Sequence, residues 1–185
     1  MRILAVSGSL REGSFNTSLL RAALEAAPDG VELELWEGIG ELPFYDEDLE
    51  HDAPDSARRL REDWAAADAI LFSTPEYNGS VPGGLKNAID WASRPPIEAV
   101  LRNKPVAVIG ASTGQFGALW AQQDLKRILG IAGARVVGTE IPVALAEERF
   151  DAEGRLLDGE VFEQLRLHLT TLASEAVAAP DRVAA

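Results

Sequence analysis

Cysteine is missing from the 185-residue chain, histidine occurs only as His51 and His168, and methionine occurs once. The first absence excludes disulfide frameworks, thiolate-ligated zinc or iron–sulfur clusters and thiol catalysis. Two histidines are too few for a poly-histidine metal site, so no metal is expected. Positive charge is also scarce, with 17 basic against 30 acidic residues and a net charge of −13. Such a surface repels nucleic acid and anionic membranes, and neither is expected as a partner. Long apolar runs are lacking as well. The opening run Ile3–Val6 meets Gly8, Arg11 and Glu12 too soon for a membrane span or a signal peptide, so a cytoplasmic protein is expected. What remains is ample core material. With 46% apolar residues and roughly 70% of the extended surface hidden on folding, residues 1–185 suit one domain. Residues Pro180–Ala185 are expected to fray.

Strand and helix signals alternate along the chain. Ile3, Leu4, Ala5 and Val6 read as a strand buried on both faces, and Leu19, Leu20, Ala23, Leu24 and Ala27 recur at helical spacing until Pro28-Asp29-Gly30. Val31, Leu33 and Leu35 alternate with Glu32 and Glu34 as an edge strand does. The acidic stretch 36–55 is irregular but carries an apolar knot, Leu42-Pro43-Phe44-Tyr45. Beyond it the pattern predicts a helix over 56–67, a strand over 69–73 and a helix with Leu85, Ile89 and Ala92 on one face. A strand over 105–110, a helix over 119–132, a strand over 136–141 and a helix over 161–178 complete the series. Five strands alternating with five helices specify an α/β fold, a doubly wound five-stranded parallel sheet with helices on both faces. Ligands of such sheets sit outside the carboxyl ends of the strands. The loops after the first, third and fourth strands are therefore the candidates.

The first of these, Gly8-Ser9-Leu10-Arg11-Glu12-Gly13-Ser14-Phe15-Asn16, is rich in hydroxyls and runs into a helix N-terminus, where orphan N–H groups favour an anion. Arg11 adds a full positive charge. Neither the Walker pattern nor Gly-x-Gly-x-x-Gly is present, and an ordinary capped helix explains the loop about as well. The second, Thr74–Gly84, offers an aromatic, an amide and flexible backbone between Pro75 and Pro82, which suits a flat polar ring. The third, Gly110-Ala111-Ser112-Thr113-Gly114, spells the Gly-x-Ser-x-Gly elbow of serine hydrolases, with Asp151 or Asp158 and then His168 following in the hydrolase order. Against a hydrolase, His168 falls mid-helix among Leu165, Leu167 and Leu169, and the first two loops stay unexplained.

Together, Gly8–Asn16 and the long run Pro75-Glu76-Tyr77-Asn78-Gly79-Ser80-Val81-Pro82-Gly83-Gly84-Leu85-Lys86-Asn87-Ala88-Ile89-Asp90-Trp91 resemble the NADPH-dependent FMN reductases of flavodoxin-like fold, including bacterial quinone and chromate reductases. Leu42-Pro43-Phe44-Tyr45-Asp46 is similar to the family's Leu-Pro segment near the subunit interface. The resemblance implies FMN as cofactor and NADPH or NADH as co-substrate. It assigns Ser9, Arg11, Ser14, Phe15 and Asn16 to the phosphate. Pro75, Glu76, Tyr77, Asn78 and Gly79 would line the isoalloxazine, largely through backbone, and Ser112 and Gly114 would close its other side. Ala118 departs from a glycine common in relatives, which costs little if that position opens a helix with negative φ. A homodimer or homotetramer is implied as well.

On this reading the flavin carries the chemistry and no side chain is catalytic. A hydride passes from NAD(P)H through FMN to a small-molecule acceptor in a ping-pong cycle. Quinones are the natural acceptors; azo dyes, chromate and free flavin are the others. A flavodoxin-type electron carrier and, less well supported, a serine hydrolase using Ser112 are the alternatives.

Overall fold

Side chains alternate across a strand, so a sheet covered on both faces must be apolar at every position. Strands β1 (Arg2–Ser7), β3 (Ala69–Ser73) and β4 (Pro105–Ala111) meet that requirement along nearly their whole length. A computed structural model describes residues 1–178, the side chain of Glu98 excepted; the expected fraying of 180–185 lies outside the described residues. The β1 strand pairs in parallel with β2 (Glu32–Trp36) from Arg2↔Glu32 and with β3 from Ile3↔Ala69. β3 then pairs with β4 from Ile70↔Val106. The order is β2-β1-β3-β4 with the fifth strand, β5 (Arg135–Val136), beyond β4, the flavodoxin-like arrangement.

One set of alternating residues, among them Ile3, Ala5, Leu71, Ala107 and Ile109, packs under α1 (Phe15–Glu25) and α5 (Gly159–Ala178) through Leu19, Leu20, Leu165, Leu169 and Leu172. The complementary set, Leu4, Val6, Ile70, Phe72, Val106 and Val108, packs under α2 (Asp55–Ala66), α3 (Gly83–Ala92) and α4 (Leu119–Ile131). Buried Trp64 stands edge-on to both Trp36 and Phe72, with centroids 5.6 and 5.4 Å away. Two cores on opposite faces of one sheet follow directly from the period of two.

The fifth strand differs from the expected continuous segment over 136–141. It is split into β5 (Arg135–Val136) and β6 (Pro142–Val143), which pair with opposite ends of β4. β4 advances four residues from Val106 to Gly110 while its neighbour advances six from Val136 to Pro142, so two residues are looped out. Gly138 turns the chain at φ +73°, with its Cα against the His168 ring, and Lys126 Nζ donates to the Gly138 carbonyl at 2.8 Å. Pro142, which has no N–H, is tolerated as the first residue of this edge strand, where Ile141 O and Val143 O accept from Gly110 N and Ser112 N.

The Leu42–Tyr45 knot is fastened to α3. The Pro43 carbonyl accepts from Trp91 Nε1 and from Asn87 Nδ2, both at 2.9 Å, and the Tyr45 ring lies edge-on to Trp91. A hydrogen bond to Glu50 pushes the Tyr45 phenol up to about 12. Phe44, in contrast, is 89% exposed. Among the described residues no helix is long and apolar enough to cross a membrane.

Candidate functional site

Between β1 and β3 the connections diverge, and the space above the strand ends is left to three loops. The first loop ends on Ser14, the N-cap of α1, whose Oγ accepts from Thr17 N at 3.4 Å. No acidic residue sits in the first turn of that helix, so the positive end of its dipole is not neutralised locally. The Ser9 hydroxyl accepts from Arg11 N at 3.4 Å, and the Arg11 guanidinium lies 5.5 Å from the centroid of the Phe15 ring. Hydroxyls, helix N–H groups and an exposed guanidinium make a donor set that suits a phosphate.

Asn16 plays a different part from the expected one. Its buried amide donates from Nδ2 to the Ala111 carbonyl at 2.9 Å, while Oδ1 accepts from Ala111 N at 3.0 Å and from Ser73 Oγ at 2.9 Å. A side-chain amide matches a peptide group donor for acceptor, and here it ties the first loop to the ends of β3 and β4. Its side chain is thereby committed, leaving its main-chain N–H to face an anion.

The second loop folds back at Asn78-Gly79, where φ is 53° and 75°, and Tyr77 and Ser80 exchange main-chain hydrogen bonds of 3.0 and 3.2 Å. This is the two-residue turn that Asn-Gly favours. The loop is held to α4 at two points. Glu76 Oε2 accepts from Trp120 N at 3.1 Å and Ala121 N at 3.2 Å, placing a carboxylate on the helix N-terminus. Ser80 Oγ donates to Asp124, which together with Arg127 holds that carboxyl below its usual range.

In the third loop Ser112 Oγ accepts from Gly114 N at 3.1 Å, and the Ser112 main chain is bonded to Val143 O and Ala146 N. Gly117 follows at φ +55°, where a Cβ would lie 2.5 Å from the Pro142 carbonyl carbon. Ala118 does not meet the condition of negative φ under which alanine costs little there: it is left-handed at φ 59° and ψ 32°. The segment must turn sharply under Pro142–Ala144 before α4 can begin, and a negative φ would not bring it there. Buried Gln122 locks this turn, donating to the Gly117 carbonyl and accepting from Ile141 N, both at 3.0 Å.

The loops enclose a cavity of about 180 Å³. Its wall unites Ser9, Arg11, Ser14, Phe15, Asn16, Pro75, Glu76, Tyr77 and Ser112 with Ala111 and Thr113. Asn78 and Gly79 stand at the turn's tip and Gly114 behind Ser112, all three outside the lining. Sequence reasoning passed over Ala111 and Thr113, although both flank Ser112, and it missed Gln122, whose amide gave no signal in a helical segment. The volume is well below the roughly 300–1,000 Å³ of sites that bury a drug-sized ligand. A molecule as large as FMN held by its phosphate therefore keeps one side open.

The hydrolase arrangement is not assembled. Ser112 Oγ is paired with Gly114, while the His168 ring abuts Gly138 and its buried Nε2 has no hydrogen-bond partner among the described residues. Burial pushes the His168 imidazole down to about 4, with Lys126 adding to the shift and Glu140 opposing it.

The family model for NADPH-dependent FMN reductase matches residues 1–148. An NAD(P)H-dependent FMN reductase of Pseudomonas aeruginosa is 44% identical over 174 residues, covering 93% of each chain. A quinone reductase of Escherichia coli K12 is 37% identical over 174 residues, covering 92% of this chain and 90% of its own. The solved structure of the flavoenzyme FerB, an NAD(P)H:(acceptor) oxidoreductase of Paracoccus denitrificans, superposes with a TM-score of 0.84 at 36% identity. It covers 96% of this chain and 98% of its own.

Proposed function

The chain belongs to the NADPH-dependent FMN reductase family, and on that premise we propose that it is an NAD(P)H-dependent oxidoreductase that uses FMN to reduce quinones. The observation that carries this reading is the cavity between β1 and β3. It joins a phosphate-compatible donor set at Ser9–Asn16 to an open wall at Pro75–Tyr77. Bound FMN would supply two-electron chemistry between a nicotinamide and an acceptor.

The chain's own residues would bind and orient. Ser9, Ser14, Arg11 and the first N–H groups of α1 would hold the phosphate. Pro75, Glu76 and Tyr77 would face the ring on a loop fixed by Glu76 and Ser80 to α4. The Glu76 carboxylate is engaged by two helix N–H groups, so the reading gives it an orienting role and no proton to transfer. The open side would admit the nicotinamide and then the acceptor, as a ping-pong cycle requires. Azo dyes, chromate and free flavin are further candidate acceptors.

The test is titration with FMN under anaerobic conditions, followed by NADPH, NADH and a panel of quinones. One FMN per chain, bleached by reduced nicotinamide without a partner protein and reoxidised by quinone, is expected. Absence of FMN binding at micromolar concentration would overturn the assignment, and binding without bleaching would make the protein a flavodoxin-type carrier.

The reading extends to a cytoplasmic homodimer or homotetramer. Its support is a groove of about 700 Å³ between α3 and α4, whose wall mixes Ile89, Ile128 and Ile131 with Lys86, Asp90, Asp124 and Arg127. Charges of both signs beside apolar side chains suit a self-complementary contact across a two-fold axis.

A further inference from the structure

Large aromatic side chains left half in water ask for an explanation, and two stand together at the start of α4. Phe116 is 55% and Trp120 49% exposed, with ring centroids 4.7 Å apart and planes inclined by 49°. The chain that presents them passes through two consecutive left-handed residues, Gly117 and Ala118. At Ala118 this conformation carries a cost that glycine would avoid, and strain maintained in a fold points toward function. The turn is held rigidly by Gln122, as described above, and Leu119 N donates to the Phe116 carbonyl at 3.0 Å.

Its position relative to the cavity is fixed by one contact. Glu76, a cavity-wall residue, accepts from Trp120 N, and two residues separate the wall residue Thr113 from Phe116. Tyr77, next to Glu76 in the chain, is itself 51% exposed. Tyr77 and Phe116 are thus carried by two of the site's loops and Trp120 by the first turn of α4, where it meets Glu76 of the cavity wall.

We propose that Phe116 and Trp120 form an acceptor-recognition wall that favours uncharged fused-ring quinones over small or anionic acceptors. The proposal rests on the quinone-reductase reading above. A tilted aromatic pair offers π-faces and edges to a second ring system, and its contact grows with the number of fused rings. It offers no positive charge to an anion, and the net charge of −13 opposes anionic acceptors further.

The experiment uses FMN-loaded wild type, Phe116→Ala, Trp120→Ala and Trp120→Phe, with 1,4-naphthoquinone and 1,4-benzoquinone. In the alanine variants the naphthoquinone-to-benzoquinone preference in kcat/KM is expected to fall by roughly tenfold, with Trp120→Phe restoring most of it. A second readout needs no turnover. Trp36, Trp64 and Trp91 are buried, whereas Trp120 is half exposed. Naphthoquinone should therefore quench the Trp120 emission saturably, and Phe116→Ala should weaken that saturation by roughly tenfold. If the protein proves not to oxidise NAD(P)H, the function reading falls while the quenching titration still decides whether the wall binds naphthoquinone. An unchanged preference with unsaturable quenching overturns the proposal. So does an unchanged preference accompanied by loss of the oligomer, which would make the pair an interface between copies.

Discussion

Arg11 and His168 mark the two extremes of what a single residue can reveal. Arg11 is exposed beside Ser9 and Ser14, and its value depends on a phosphate being there. Arg11→Ala is expected to weaken FMN by about 1.5–3 kcal/mol, roughly ten- to a hundredfold, and riboflavin far less. Equilibrium titration with both flavins checks this, and equal losses would show that the guanidinium does not meet the phosphate. His168 is buried against Gly138 between Lys126 and Glu140, with its pKa lowered to about 4 from 6.5. The folded state therefore binds this proton more weakly than the unfolded chain. The associated stability is complete above about pH 6.5 and is lost as pH falls toward about 4. Between about pH 7.5 and about pH 5 wild type should lose about 2 kcal/mol that His168→Leu does not lose. Urea midpoints at the two pH values measure the difference, and parallel losses in both proteins would remove His168 as the cause.

The fold was legible in the sequence wherever one element's pattern decides its structure. The apolar runs 3–6, 69–73 and 105–110 could only be central strands, and the helical stripes at Leu60 and Trp64 or Leu165 and Leu169 had to face a core. Most of the cavity wall was legible too, because hydroxyls and glycines at strand ends have few other uses. What escaped depends on contacts between elements far apart in the chain. Asn16 was placed on the phosphate by its loop, but its amide pairs with residue 111 and Ser73, a partnership no local pattern encodes. The interruption of the fifth strand coincides with a left-handed Gly138 packed under His168, about thirty residues onward, a contact no local pattern encodes. Ala118 replaces a glycine common in relatives, a change that costs little only at negative φ, yet the turn beneath Pro142–Ala144 imposes the left-handed form. That turn supplies its own test. Gly117→Ala would drive a methyl into the Pro142 backbone and should destabilise by about 2 kcal/mol or more. Ala118→Gly should be neutral or slightly stabilising, since relief of about 1–2 kcal/mol is offset by about 0.8 kcal/mol of lost methyl burial. Denaturant midpoints of the pair decide it; equal destabilisation would mean that the left-handed geometry at 118 is not native.

For the whole molecule, the groove between α3 and α4 is the surface on which self-association is expected. Ile131, 75% exposed on its wall, would be covered by a second copy. Ile131→Asp should then shift the protein toward monomer at micromolar concentration, read by sedimentation velocity, whereas a distribution matching wild type would place the interface elsewhere. Association by helices is also the mode that the sheet leaves available. Its two borders are closed to growth by different means. On one side β2 carries exposed charged side chains, Glu32 and the Arg2-paired Glu34, which a neighbouring strand would have to desolvate. On the other, the break between β5 and β6 leaves two-residue ladders separated by a bulge, the second beginning at Pro142. No run of unpaired peptide groups there is long enough to template a foreign strand. The kink beside His168 thus leaves the folded sheet an edge that is short and irregular, and a smooth strand there would offer a longer one.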